Sequence, residues 1–327
     1  MKKILSLFLL SFFIIGISIV GCKKEINVES QVEDLTSLPE ERNCAAHDVL
    51  LKEIEADPSR AKQLEELERF TEDFVSQKRL LTNGIIEIPV VVNVLYRTTA
   101  ENISDAQIAS QITALNNDYK ALNSDYNNTP SIFQPVRSGD FGIQFVLDAV
   151  VRKSTTKTSW STNNAMKSAS QGGINPTSPT TKLNIWVCNL SNGLLGYAQF
   201  PGGSSATDGV VIDNNAFGTT GTVTSPYNKG RTATHEIGHW LNLRHIWGDA
   251  TCGNDFVGDT PQHNAANYSC PTYPHYSTCT GTPIEMTMNY MDYTNDACMY
   301  MFTQNQKTRA MAVFAVGGPR NSFAQPW

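Results

Sequence analysis

The chain has 327 residues, is 40% hydrophobic and 17% charged, and carries a net charge of −6. That composition is globular and long enough for about two domains, and it excludes a fibrous or wholly disordered protein. A mildly acidic chain also lacks the clustered Lys and Arg that phosphate neutralisation requires, so no nucleic acid is expected as a partner.

The first element is a targeting segment. Lys2 and Lys3 precede an apolar run from Ile4 to Val20, then Gly21, Cys22, Lys23 and Lys24. A charged start and an apolar core make a secretory signal. The ending Ile19-Val20-Gly21-Cys22 resembles a bacterial lipobox, in which residues 1–21 are removed and Cys22 carries the lipid anchor. Ordinary signal cleavage and an uncleaved anchor are the rival outcomes, and a 17-residue run is short for a span. The rest of the chain is expected outside the cytoplasm, as an outer-membrane or cell-surface lipoprotein or a released secreted form.

Charge then divides the chain. Residues 23–80 hold 24 charged side chains, and the much longer stretch 81–327 holds only 30. A shift that large marks a boundary near residue 80. Residues 22–80 read as a tether and a helical segment, and 81–327 as the compact body. From Asp48 to Lys78, Leu50, Leu51, Ile54, Leu64, Leu67, Phe70 and Phe74 fall at helical steps, and Asp57-Pro58 breaks the run in two. Such a hairpin is either a surface feature or a propeptide.

Within the body, Ile85–Tyr96 reads as a buried strand. Ser104–Leu122 reads as an amphipathic helix with Ile108, Ile112, Leu115 and Tyr119 on one face and a cap at Ser104. Strands follow at Phe141–Val151, Leu183–Leu190 and Gly209–Asp213, and helices at Thr232–Leu243 and Thr303–Val316. Residues 248–287 read as one long loop, which is unusual in a compact domain unless cross-linked or functional. The order of elements predicts an α+β body.

There are seven cysteines. Cys252, Cys270, Cys279 and Cys298 cluster late in the chain. In an exported protein they read as two disulfides with three possible pairings. A four-Cys zinc site is disfavoured because no C-x-x-C occurs.

The decisive text is His235-Glu236-Ile237-Gly238-His239-Trp240-Leu241-Asn242-Leu243-Arg244-His245. His235 and His239, four apart on a helix, can hold one zinc from one face, and Glu236 beside them can take a proton from an attacking water. On a continuous helix His245 would lie about 9 Å further along the axis. It closes the site only if the chain turns back, and Asn242 is the residue best able to take the positive φ this needs.

H-E-x-x-H-x-x-G-x-x-H followed by a Met-turn is the metzincin signature, and Met288-Asn289-Tyr290-Met291-Asp292-Tyr293 fits that turn. Over residues 42–316 the chain resembles the pappalysin family, in its prokaryotic ulilysin-like branch. Gly196-Tyr197-Ala198-Gln199-Phe200-Pro201-Gly202-Gly203 and Asp255-Phe256-Val257-Gly258-Asp259-Thr260-Pro261 add to the likeness. Asn242 departs from the family's usual Gly.

The resemblance implies a twisted mixed sheet and active-site helix above, to about residue 239, and a loop-rich, disulfide-linked lower subdomain. It implies pairs Cys252–Cys279 and Cys270–Cys298, a Met291 floor beneath the zinc, and Tyr293 as an oxyanion donor. It implies calcium near Asp255, Asp259 and Thr260. Asp296 would form a pocket favouring Arg, then Lys, just after the scissile bond. Cys44 either plugs the zinc in a zymogen or pairs with Cys188. The expected protein is a monomeric zinc endopeptidase acting on proteins or peptides. The rival is a surface lipoprotein that uses the zinc fold only for binding.

Overall fold

The computed structural model describes residues 41–77 and 84–324. The signal-like segment, Cys22, the tether up to residue 40 and the boundary near residue 80 lie outside them. Two helices come first, α1 (Ala46–Ala56) and α2 (Ser59–Ser76), separated at Asp57-Pro58. Then follow β1 (Ile86–Tyr96), α3 (Asp105–Tyr119), β2 (Ile143–Ser154), β3 (Leu183–Cys188), β4 (Gly196–Ala198) and β5 (Val210–Asp213). The helices α4 (Arg231–Trp240) and α5 (Gln304–Ala312) complete the body.

The five strands form one sheet in the order β2-β1-β3-β5-β4. All neighbours are parallel except β4, which runs antiparallel to β5 at the edge. Parallel strands are covered on both faces and need near-continuous apolar runs. Accordingly β1 buries Val90, Val91, Val92 and Val94 completely. The body is the expected mixed α+β fold.

On α3, the Ser104 hydroxyl caps by accepting the Gln107 N–H at 3.1 Å, and Ile108, Leu115 and Tyr119 enter the core. Its far end holds α4: the Tyr119 hydroxyl donates to the Thr234 carbonyl (3.1 Å), and the Thr234 hydroxyl donates to Asp118 (2.7 Å).

The helix α4 stops earlier than its apolar pattern suggests. Asn242 has φ of 73°, and the Leu243 N–H donates back to the Gly238 carbonyl at 2.9 Å. That six-to-one bond around a left-handed residue is a Schellman-type stop. The helix α5 is also shorter than expected, starting from a capping box between Thr303 and Gln306 and ending at Ala312.

Residues 248–287 contain no helix or strand. Cys252 bonds Cys279, closing the loop on itself, and Cys270 bonds Cys298, tying it to the segment after the Met-turn. Asp292 adds a polar tie by accepting the N–H groups of Asn267 and Tyr293, both at 2.8 Å.

Candidate active site

The helix α4 stacks His235 and His239, and the reversal at Asn242 returns His245 to meet them. His239 Nε2 lies 3.1 Å from Nε2 of both His235 and His245. Each Nδ1 faces an oxygen: the Tyr290 carbonyl at 2.7 Å, the Leu243 carbonyl at 2.8 Å, and the Asp249 carboxylate for His235, His239 and His245 respectively. Carbonyls and carboxylates only accept, so the Nδ1 atoms carry the protons and three bare Nε2 lone pairs face one another. Such an arrangement is repulsive alone and fits a tetrahedral zinc.

Burial, then the neighbouring imidazoles, hold His235 and His239 far below the ordinary histidine range, so both rings are neutral as ligation requires. Burial raises Asp249, but the His245 bond outweighs it and leaves the carboxyl at about 2. Cys44 Sγ is the fourth donor. These four ligand atoms lie within 4.8 Å of one another, a group of metal-binding type among the described residues.

Glu236 is buried beside the histidines, and burial pushes its carboxyl up to about 8. Two glycines make room. A Cβ on Gly196 would stand 2.9 Å from Glu236 Cγ, and one on Gly238 would stand 2.5 Å from Met291 Sδ. Met291 thus packs directly against α4 at Gly238, between the positions of His235 and His239 in the chain.

Residues 177–315 match the peptidase M43 family model described as pregnancy-associated plasma protein-A. An extracellular metalloprotease of Arthroderma otae is 34% identical over 239 residues, covering 70% of this chain and 77% of that protein. Mature mirolysin of Tannerella forsythia, solved with a cleaved peptide, is 46% identical and superposes with a TM-score of 0.71, covering 73% of this chain and 96% of that one. A promirolysin mutant from the same species is 41% identical with a TM-score of 0.80, covering 86% and 97%. The chain belongs to the pappalysin family. It is a zinc metalloendopeptidase of that type, and the longer match to the pro-form marks it as a zymogen.

In this pappalysin the cleft is filled by the chain's own N-terminal segment. Cys44 pairs with Gly196 of the edge strand β4 in a parallel bridge. The Leu195 N–H donates to the Asn43 carbonyl at 3.0 Å, and the Ala45 N–H to the Gly196 carbonyl at 3.1 Å. The Cys44 thiol donates to Glu236 at 3.3 Å. Burial first, and Glu236 second, push that thiol up, so a thiolate here requires a cation. Cys188 is a separate buried free thiol, and no Cys44–Cys188 bond forms. The Tyr293 hydroxyl donates to the Cys44 carbonyl at 3.0 Å rather than lying free at the metal.

Asp296 is fully buried and meets Arg42 of the same segment at 2.6 Å. Its second oxygen accepts the Lys229 N–H at 2.7 Å and the Arg231 N–H at 3.3 Å. Arg42 therefore makes no bidentate fork. Its other nitrogens reach the Thr294 carbonyl (3.2 Å) and the Thr232 hydroxyl (3.1 Å), with the guanidinium over the Tyr227 ring at 5.0 Å.

The three residues expected near calcium do not converge. Asp255 accepts the Thr260 hydroxyl at 2.8 Å, whereas Asp259 turns to the start of α5, accepting from Thr303 (2.6 Å) and Asn305 (2.9 Å).

Sequence reasoning missed Gly196, Asp249, Arg42 and Trp247. Trp247 stacks on the His245 ring at 4.3 Å and 7°. Asp249 lies four residues past His245, a spacing that is a usable signal for its hydrogen bond; the others depend on contacts between distant segments.

Proposed function

We propose that Glu236 is the general base of this pappalysin, that Tyr293 stabilises the oxyanion, and that cleavage falls before Arg and less well before Lys. Zinc, when bound by His235, His239 and His245, supplies the Lewis acidity that polarises the scissile carbonyl and acidifies the attacking water. Glu236 takes the proton of that water and delivers it to the leaving amine. Tyr293, once released from the Cys44 carbonyl, donates its hydroxyl to the developing oxyanion. The edge of β4 pairs with the substrate backbone.

The observation that carries this reading is the Arg42–Asp296 pair beside a thiol at the metal site. A buried carboxylate is costly without a cationic partner, and here the chain supplies an arginine of its own. A planar guanidinium serves Asp296, Thr294 and Thr232 at once, in directions a lysine ammonium matches less well. Cys44, as fourth ligand, keeps water from the metal, and residues 22–80 act as the propeptide. Peptide-library digestion by the activated protein, beside its Glu236→Ala form, tests the reading. Arg just after the cut bond, lost in the variant, is the expected result; an apolar preference there would remove Asp296 from the pocket.

Two further assignments belong to the same reading. Cys22 is the lipid anchor, and Cys22→Ser should move the protein from the membrane fraction to the soluble one. Calcium is assigned to Asp255, Asp259 and Thr260, with Asp259 turning from Thr303 and Asn305 to reach it. Burial raises both carboxyls, Asp255 to about 7 against the Thr260 and Val257 hydrogen bonds and the Arg309 charge that lower it, so a bound cation would be favoured there; added calcium should raise the Tm of the zinc-loaded protein.

A further inference from the structure

The N-terminal segment reveals the substrate's direction. In the segment, the chain leaves the Asp296 pocket at Arg42 and reaches the metal site two residues later, at Cys44. In a substrate, the residue that enters the Asp296 pocket follows the scissile bond, so the carbonyl at the metal belongs to the residue before it. The substrate therefore passes from pocket to metal towards its N-terminus, opposite to the segment. Because the segment runs parallel to β4, the substrate runs antiparallel to it. The ground covered by residues after Cys44 is then the ground of substrate residues before the scissile bond.

That ground is apolar and aromatic. Ala46 and Leu50 are buried there in one cluster with Phe200 and Tyr293, and Ile54, Leu64, Trp247 and Ala266 pack against it. Phe200 lies against the His239 ring at 5.3 Å, and Trp247 packs on both His245 and Tyr293, 4.3 and 4.7 Å away. The metal ligands thus open directly onto an aromatic wall on this side, and onto the Asp296 pocket on the other.

We infer that Phe200, Trp247 and Ala266 form a second specificity site of this protease, which takes apolar side chains within the three residues preceding the scissile bond. The site rests on the reading of Asp296 given above. Departure of α1 exposes the wall, and a substrate's aliphatic or aromatic side chain covers it again. A side chain that reburies apolar surface in the productive complex raises kcat/KM, and a difference of about tenfold between Leu and Ser is the expected scale.

The test uses the protease activated from the full-length chain on a peptide library, followed by peptide pairs that share Arg after the cut and differ only as Leu or Ser before it. Apolar residues should be enriched before the bond. Phe200→Ala should lower the Leu-to-Ser ratio of kcat/KM by about tenfold at unchanged zinc content. Ala266→Arg should instead favour Asp or Glu at the same position. Arg after the bond with no preference before it, and no response to Ala266→Arg, would overturn this inference and leave the Asp296 reading intact. Loss of the Arg preference itself would overturn both, because the direction of the substrate is drawn from it.

Discussion

At Gly196 a methyl group would stand 2.9 Å from both Glu236 Cγ and the Val211 carbonyl oxygen. The carbonyl belongs to the neighbouring strand and cannot yield, so the glutamate must. Gly196→Ala should therefore retain zinc and lower kcat by tenfold or more, read by metal analysis beside peptide hydrolysis. Glu236→Ala should also keep about one zinc per chain and lose roughly 10²–10⁴ in rate, the usual share of a positioned base. Near-normal cleavage by that variant would exclude it as the base. His245→Ala should lose the metal, since two imidazoles and a water are a poor zinc site. The histidines and Glu236 were legible because their spacing spells out the chemistry. Gly196 was not, because its role is the space it leaves beside a residue 40 positions away.

At the level of elements, the break at Asp57-Pro58, the strand at Ile86 and the cap at Ser104 follow from local rules and stood in the sequence. The pairing of Cys44 with β4 did not, because it joins segments about 150 residues apart and its direction has no local signature. A further tie runs from α2, where Glu68 pairs with Arg309 and the Asn242 amide donates to the Thr71 hydroxyl at 3.3 Å. Arg309 in turn donates to the Asn242 carbonyl at 2.8 Å. The helix α2 thus touches the very turn that delivers His245. Cys44→Ala should make the full-length chain cut itself, seen as fragments on a gel, and Arg42→Ala in addition should hasten it. A silent Cys44→Ala chain would show that the helices alone block the cleft. Asn242→Gly should change stability by no more than about 1 kcal/mol, trading left-handed strain against one long hydrogen bond. A β-branched residue there should cost several times that and lose zinc.

For the molecule as a whole, the α+β class was legible from the order of elements, whereas the strand order β2-β1-β3-β5-β4 was not, because crossovers are fixed by packing between distant segments. Burial raises the Asp213 carboxyl to about 6, against two backbone N–H bonds that lower it. The folded chain then holds that proton more tightly than the unfolded one, so stability from this group falls as pH rises from about 4 to 6, by about 3 kcal/mol. Asp213→Asn should gain on the parent in Tm between pH 5 and pH 8; a constant difference would refute the assignment. The two disulfides have a consequence for timing. Residues 248–287 have no helix or strand and only one isolated bridge of their own, Tyr276 with Ile284, yet they are tied to the segment that follows Met291. Their cross-links, about 2–4 kcal/mol each, form only where thiols are oxidised. A newly made copy still among the cell's own proteins is therefore doubly harmless: its cleft is corked, and the masonry under its metal has not yet set. Crossing out of the reducing compartment is the first of two steps that arm it, and removal of the cork is the second.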